Sequence, residues 1–186
     1  HTPALRLTRI LDMYKRYGGR EFFIDMPTYI SEQNGGDRNW AITYLLREFE
    51  MIDGDITQTL DLYLQQCSIL LDCRDLALMA ATLANGGINP RTGEQAIKPQ
   101  YVRDILSVMF MCGMYDSAGK WAYEVGFPAK SGVSGALMLV VPGELGIAIY
   151  SPTLDEHGNS VRGVKTGMDL FRALNVHIFD TQPLAP

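Results

Sequence analysis

Two six-residue apolar runs, Ala136–Val141 (Ala-Leu-Met-Leu-Val-Val) and Leu145–Tyr150 (Leu-Gly-Ile-Ala-Ile-Tyr), stand on either side of Pro142-Gly143-Glu144 and limit how this chain can fold more than any other feature. Each run is too short for a helix and rich in aliphatic and β-branched residues, so each predicts a strand. Pro142 and Gly143 suit the two central positions of a type II turn, which makes the pair a β-hairpin. Both runs are apolar on both faces, as interior strands covered on each side would be. Just ahead stands Lys130-Ser131-Gly132, a cation and a hydroxyl followed by a residue that lets backbone approach a ligand closely. Such a group can hold a carboxylate beside the edge of a sheet.

The residues before the hairpin read as helices. Leu7, Ile10, Leu11 and Tyr14 form a helical stripe within Leu5–Tyr17 that Gly18-Gly19 would stop. Asp25-Met26-Pro27 opens a second segment, broken by Asn34-Gly35-Gly36. Asp37 then reads as the cap of a helix from Arg38 to Glu50 that buries Trp40, Ile42, Leu45, Leu46 and Phe49. Asp55 caps a helix through Gln66, and Asp72 caps Cys73 to Asn85, with Leu76, Met79, Ala80 and Leu83 inward. A further helix runs from Pro99 to Met111 and ends at Gly113. From Met114 onward the chain is expected to turn from helices to strands, first near Trp121–Val125 and then through the hairpin. A last helix, Ser160–Leu174, carries the stripe Val161, Val164, Met168 and Phe171, which is expected to face the sheet. The sum is an α+β domain, mainly helical over 1–113, with an antiparallel sheet and a C-terminal helix packed on it over 114–186.

Composition excludes several classes of function. The 186 residues are 47% hydrophobic and 20% charged with a net charge of −5, and the basic residues are scattered, so no nucleic-acid footprint exists. No apolar run nears the ~20 residues that span a bilayer, so no membrane partner is expected. Cys67, Cys73 and Cys112 are odd in number, lack Cys-x-x-Cys spacing and fall within apolar helical patterns. They predict buried free thiols in a reducing compartment, the cytosol or a mitochondrial matrix.

Several motifs occur together and in order: Gly36-Asp37-Arg38-Asn39, Leu62-Tyr63-Leu64-Gln65-Gln66-Cys67-Ser68, Cys112-Gly113-Met114-Tyr115-Asp116-Ser117-Ala118-Gly119, Gly126-Phe127-Pro128-Ala129-Lys130-Ser131-Gly132-Val133-Ser134-Gly135, Ser151-Pro152-Thr153-Leu154-Asp155 and Gly158-Asn159-Ser160. As a set they resemble the serine-dependent glutaminases, over nearly the whole chain, and motifs in register are far more specific than any one alone. Ala136 departs from the family's usual second glycine after Gly135. The resemblance implies a β-lactamase-like fold and hydrolysis of L-glutamine to L-glutamate and ammonia through a glutamyl-serine intermediate, with no cofactor and no metal. It implies that Tyr115 hydrogen-bonds the nucleophile and shares proton transfer, and that the Val133 backbone N–H helps form the oxyanion hole. Glu32, Asn39 and Tyr63 match the residues that hold the substrate's α-amino and α-carboxylate groups, with Tyr115 and Val133 also touching substrate. The resemblance further implies that Lys130 and Ser131 shape the field beside the nucleophile. Residues 37–50 match the helix through which such proteins associate, implying a homo-oligomer, a dimer or tetramer.

Without the resemblance these residues read more plainly. Tyr63 and Tyr115 would be core tyrosines, Glu32 a solvated helix charge, Asn39 part of a polar face, Val133 a core residue at the start of a strand, and Lys130-Ser131 a strand-edge lysine and a turn serine.

The family's Ser-x-x-Lys pair, and an asparagine that contacts substrate, are expected upstream of the first helix and outside this sequence, so the chain by itself is expected to be inactive. The one Ser-x-x-Lys present, Ser117-Ala118-Gly119-Lys120, is read as chance spacing, because Gly119 argues against the helical turn that would align Ser117 with Lys120. If the family's sheet draws strands from both ends of the full chain, this piece exposes a sheet edge. Two other readings use the same residues: a penicillin-binding or β-lactamase-type serine acyl enzyme, which shares Lys-Ser-Gly, and a non-catalytic oligomerising fragment.

Overall fold

The computed structural model describes residues 2–180 and falls into two compact units, residues up to 15 with 20–71, and residues 16–19 with 72 onward. The first unit holds most of α1 (Pro3–Gly18), then β1 (Phe23–Ile24), α2 (Met26–Asn34), α3 (Asp37–Glu48), α4 (Ile56–Cys67) and β2 (Ile69–Leu70). Helix starts follow local chemistry. The Asp25 carboxylate accepts from the Thr28 N–H at 3.1 Å, and that of Asp55 accepts from the Thr57 N–H at 2.8 Å, which satisfies donors that a helix N-terminus leaves open. Both α2 and α3 pack on α4, whose Ile56, Leu60 and Leu64 are buried. The segment after α4 does more than bridge: Ile69 and Leu70 pair antiparallel with Ile24 and Phe23.

The reading of α3 needs correction on two counts. Gly36 takes the cap position and Asp37 is the first helical residue, where its charge favours the positive end of the helix dipole. The expected buried face is also absent, since Thr43 is the buried residue of α3 while Ile42, Tyr44, Leu45 and Phe49 are exposed and Trp40 and Leu46 half-buried.

The second unit contains α5 (Cys73–Ala84), α6 (Pro99–Cys112), a 3-10 turn (Tyr115–Ser117), α7 (Ala118–Glu124), β3 (Ala129–Ser131), β4 (Ala136–Val141), β5 (Leu145–Tyr150) and α8 (Val161–Leu174). The three strands form an antiparallel sheet in the order β3-β4-β5. Val141 pairs with Leu145 across the Pro142-Gly143-Glu144 turn, where Gly143 has φ +79°. Lys130-Ser131 therefore belongs to a strand of its own, with Lys130 opposite Met138 and Ser131 opposite Leu137.

Two cores flank the sheet. Trp121, Leu137, Leu139 and Phe171 centre one, with Val164 and Met168 of α8 against it, while Ala80, Leu83, Val102 and Val140 centre the other. Close packing shows at Gly146 and Gly167, where an added Cβ would sit 2.1 Å from the Ala81 nitrogen and 2.7 Å from the Trp121 ring. Strand β5 pairs with β4 alone among the described residues.

Two further expectations fail. Trp121–Val125 is helical up to Glu124, not a strand, because the 3-10 turn winds directly into α7 and the Trp121 indole is anchored on the Phe127 carbonyl at 2.9 Å. Cys67, Cys73 and Cys112 form no disulfide among the described residues, but they are exposed, not buried: each stands at a helix end, where an apolar stripe no longer governs burial. No helix of the described residues is long and apolar enough to cross a membrane, and no cluster of three or more His, Cys, Asp or Glu among them could hold a metal ion.

Candidate active site

In the second unit, the turn after α6 and the strand β3 bring Tyr115, Lys130 and Ser131 together. Gly113 makes this possible, because any Cβ there would lie 1.8 Å from the Ala129 carbonyl oxygen. With no side chain in the way, the Gly113 carbonyl accepts from the Ser131 N–H at 2.9 Å. The next turn then carries Tyr115 at φ +52°, a left-handed conformation that costs a non-glycine residue about 1–3 kcal/mol and clusters at functional positions. The Tyr115 hydroxyl donates to the Ser131 carbonyl oxygen at 3.1 Å. The Lys130 ammonium donates to the same oxygen and lies 4.7 Å from the centroid of the Tyr115 ring. A cation so placed stabilises negative charge developing on a phenol.

Beyond β3 the chain reverses through Gly132-Val133-Ser134-Gly135, closed by Gly135 N–H to Gly132 carbonyl at 2.9 Å. Val133 occupies the second position, so its N–H takes no part in the closing bond. Gly135, at φ +93°, packs so close to Ser151 that a Cβ would lie 2.4 Å from the Ser151 oxygen. Lys130 is exposed on the edge strand β3, as a strand-edge lysine would be, whereas the plain readings of four other residues fail. Tyr63, Tyr115 and Val133 are 51%, 37% and 68% exposed, too open for core residues, and Ser131 is a buried strand residue whose Oγ has no hydrogen-bond partner.

Gly158 and Asn159 belong to this site, and the sequence reading gave them no role. The Asp155 carboxylate accepts from the N–H groups of His157 and Asn159, both at 2.9 Å. That loop sets Gly158, at φ +88°, where a Cβ would be 3.7 Å from both the Tyr115 ring and the Val133 side chain. Asn159 is fully buried, and its amide reaches the Met114 carbonyl and the Ser117 hydroxyl at 3.5 Å each. The available signal was Asp-x-x-Gly-Asn, a tight-turn sequence.

Ser117 and Lys120 stand on a helical start after all, for Gly119 lies inside α7. Ser117 engages Asn159 whereas Lys120 is exposed.

Glu32, Asn39 and Tyr63 lie in the first unit. Glu32 is in the last turn of α2 and Asn39 in the first turn of α3, both half-buried, with Gly35-Gly36 between them; Tyr63 is on α4, against which both helices pack. An ammonium and a carboxylate on one small molecule need such a set: one carboxylate, one amide and one phenol.

The chain as a whole is similar to known proteins. Residues 1–179 match the family model described as Glutaminase. The chain is 54% identical over 175 residues to a glutaminase of Trichormus variabilis, covering 94% of this chain and 52% of that protein. It is 48% identical over 165 residues to Glutaminase 1 of Bradyrhizobium diazoefficiens, covering 89% and 27%. Among solved structures it superposes on the protein described as probable glutaminase ybaS with a TM-score of 0.93 at 40% identity, covering 97% of this chain and 58% of that one. It also superposes on Mglu in its glutamate form with a TM-score of 0.93 at 39% identity, covering 100% and 42%. The chain thus spans about half the length of the first relatives it matches.

Proposed function

This chain belongs to the glutaminase family, with the family's β-lactamase-like fold, and we propose from that premise that it supplies the substrate-holding and proton-transferring part of an amidohydrolase acting on L-glutamine. The observation that carries this reading is Tyr115, kept at positive φ with its hydroxyl on the Ser131 carbonyl and the Lys130 ammonium over its ring.

In this reading the nucleophile is the serine of a Ser-x-x-Lys pair upstream of residue 1. Its oxygen bonds to the side-chain amide carbon of glutamine, and the carbonyl electron pair moves onto oxygen, where the Val133 N–H donates to it. Collapse breaks the C–N bond, and the nitrogen leaves as ammonia with a proton passed through Tyr115. Water then adds to the glutamyl ester, the serine C–O bond breaks, and the proton returns to serine as L-glutamate departs. Glu32 accepts from the substrate ammonium, Asn39 and Tyr63 donate to its α-carboxylate, and Lys130 stabilises charge developing on the Tyr115 oxygen. Ser131 holds Tyr115 through its carbonyl.

The test is calorimetric binding of L-glutamate by the 186-residue chain, beside ammonia release from L-glutamine. Binding without ammonia is expected. No binding would sink the substrate-holding role, and ammonia release abolished by Ser117→Ala would move the nucleophile to Ser117.

We also propose that the protein is a homo-oligomer, a dimer or tetramer, through residues 37–50, on the ground that α3 leaves Ile42, Tyr44, Leu45 and Phe49 exposed. Exposed cysteines outside any disulfide fit a reducing compartment, and we propose that the protein is cytosolic.

A further inference from the structure

A polar network joins the two helices that carry Glu32 and Tyr63. Tyr29 and Gln33 stand one turn apart on α2, and Asp61 and Gln65 one turn apart on α4. One oxygen of the half-buried Asp61 carboxylate accepts from the Tyr29 hydroxyl and from the Gln33 amide, the latter at 3.1 Å. Its other oxygen accepts from the Gln65 amide at 2.6 Å, and the Gln33 amide also donates to the Tyr29 oxygen at 2.7 Å. The hydrogen bond to Asp61, followed by burial and the carboxylate's charge, holds the Tyr29 phenol above its ordinary pKa, so it remains a donor throughout the neutral range.

Donors one turn apart on α2 converging on a single carboxylate of α4 fix both the rotation and the axial position of α2. A roll of one residue, about 100°, would carry Tyr29 and Gln33 away from Asp61. Glu32 lies between Tyr29 and Gln33 in the chain, and Tyr63 between Asp61 and Gln65. The network therefore locks the very turns that bear them. A role in stability alone would be met as well by apolar contacts between the two helices. What hydrogen bonds to a carboxylate add is direction.

We propose that Asp61 is a positioning residue: by fixing α2 on α4 through Tyr29 and Gln33, it sets the spacing of Glu32 and Tyr63 and with it the affinity for the amino-acid end of the substrate. The inference rests on the reading of Glu32 and Tyr63 as substrate-holding residues.

The experiment is titration of L-glutamate into the 186-residue chain and its Tyr29→Phe, Asp61→Asn and double variants, each shown to be folded by circular dichroism at the titration temperature, with Tyr101→Phe on α6 as control. Each single variant is expected to bind about five- to twentyfold more weakly, and the double variant no worse than the weaker single, because the groups act as one unit. The control keeps its affinity. Folded variants that lose thermal stability but bind as the parent does would overturn the inference and leave a structural network only. A parent chain that does not bind L-glutamate would overturn the substrate-holding reading and the inference with it. If Asp61→Asn fails to fold, Tyr29→Phe decides, since it removes one hydroxyl and keeps the ring.

Discussion

The Tyr115 hydroxyl and the Lys130 ammonium both donate to one oxygen, the carbonyl of Ser131. That shared acceptor ties a strained turn to a strand edge, and it explains how an exposed tyrosine keeps one orientation. It also keeps the cation over the ring and not out in solvent.

Removing the hydroxyl tests the tie. Tyr115→Phe should lower stability by about 0.5–1.5 kcal/mol, the net worth of one hydrogen bond, read from urea unfolding. Tyr115→Gly should lose the same bond and the ring contacts, yet recover about 1 kcal/mol or more of backbone strain at φ +52°. A phenylalanine variant as stable as the parent would mean that the bond carries nothing.

Two glycines six residues apart should respond in opposite directions. At Gly113 a Cβ would lie 1.8 Å from the Ala129 oxygen and 2.5 Å from the Met109 oxygen, so Gly113→Ala must push β3 away. The expected loss is about 3 kcal/mol or more. At Gly119 nothing lies within 4 Å of a Cβ, and the residue is inside α7, so Gly119→Ala should stabilise by about 0.5–1 kcal/mol. Thermal midpoints of the two variants decide it, and equal destabilisation would contradict the helix at Gly119.

The contrast between these glycines marks where sequence reasoning ends. The hairpin, the Asp55 and Asp72 caps, the inward face of α5 and that of α8 from Val164 onward were legible, because each rests on residues within a turn or two of one another, while Val161, expected inward, is 47% exposed. Tyr115 at positive φ was not, since no glycine or asparagine marks the position and the strain is imposed by contacts with Ser131, sixteen residues on. Asn159 was hidden for the same reason: its partners Met114 and Ser117 are 45 and 42 residues away. Trp121–Val125 misled because aromatic and β-branched residues favour strands in general, while here the preceding turn fixed a helix. In α3 the apolar positions were found, but their spacing could not say whether a partner lies within the chain.

That open face makes a prediction about assembly. Ile42 and Leu45 stand one turn apart on α3 and are exposed with Tyr44 and Phe49, and neighbouring exposed apolar side chains mark interaction surfaces. The chain should self-associate at micromolar concentration, and Leu45→Glu should shift it toward the monomer in light scattering after size exclusion. A parent chain that is monomeric at high concentration would rule out the assignment of residues 37–50.

Acid should loosen the first unit through its helix caps. In the folded chain the Asp25 pKa is lowered, first by the Thr28 hydroxyl at 2.5 Å and then by the Thr28 N–H, and that of Asp55 is lowered, first by the Thr57 N–H. A lowered pKa means that the folded state holds the charged carboxylate more firmly than the unfolded chain does. The stabilisation is present in full above the ordinary value of 3.8 and disappears as pH falls below it through the folded value, where the unfolded chain binds more protons. Urea midpoints should therefore be flat from pH 7 to about pH 5 with respect to these two groups and drop below pH 4. Asp25→Asn and Asp55→Asn, which retain a capping oxygen but cannot titrate, should each show a shallower drop than the parent. Identical acid limbs in all three proteins would mean that the caps do not couple folding to protons.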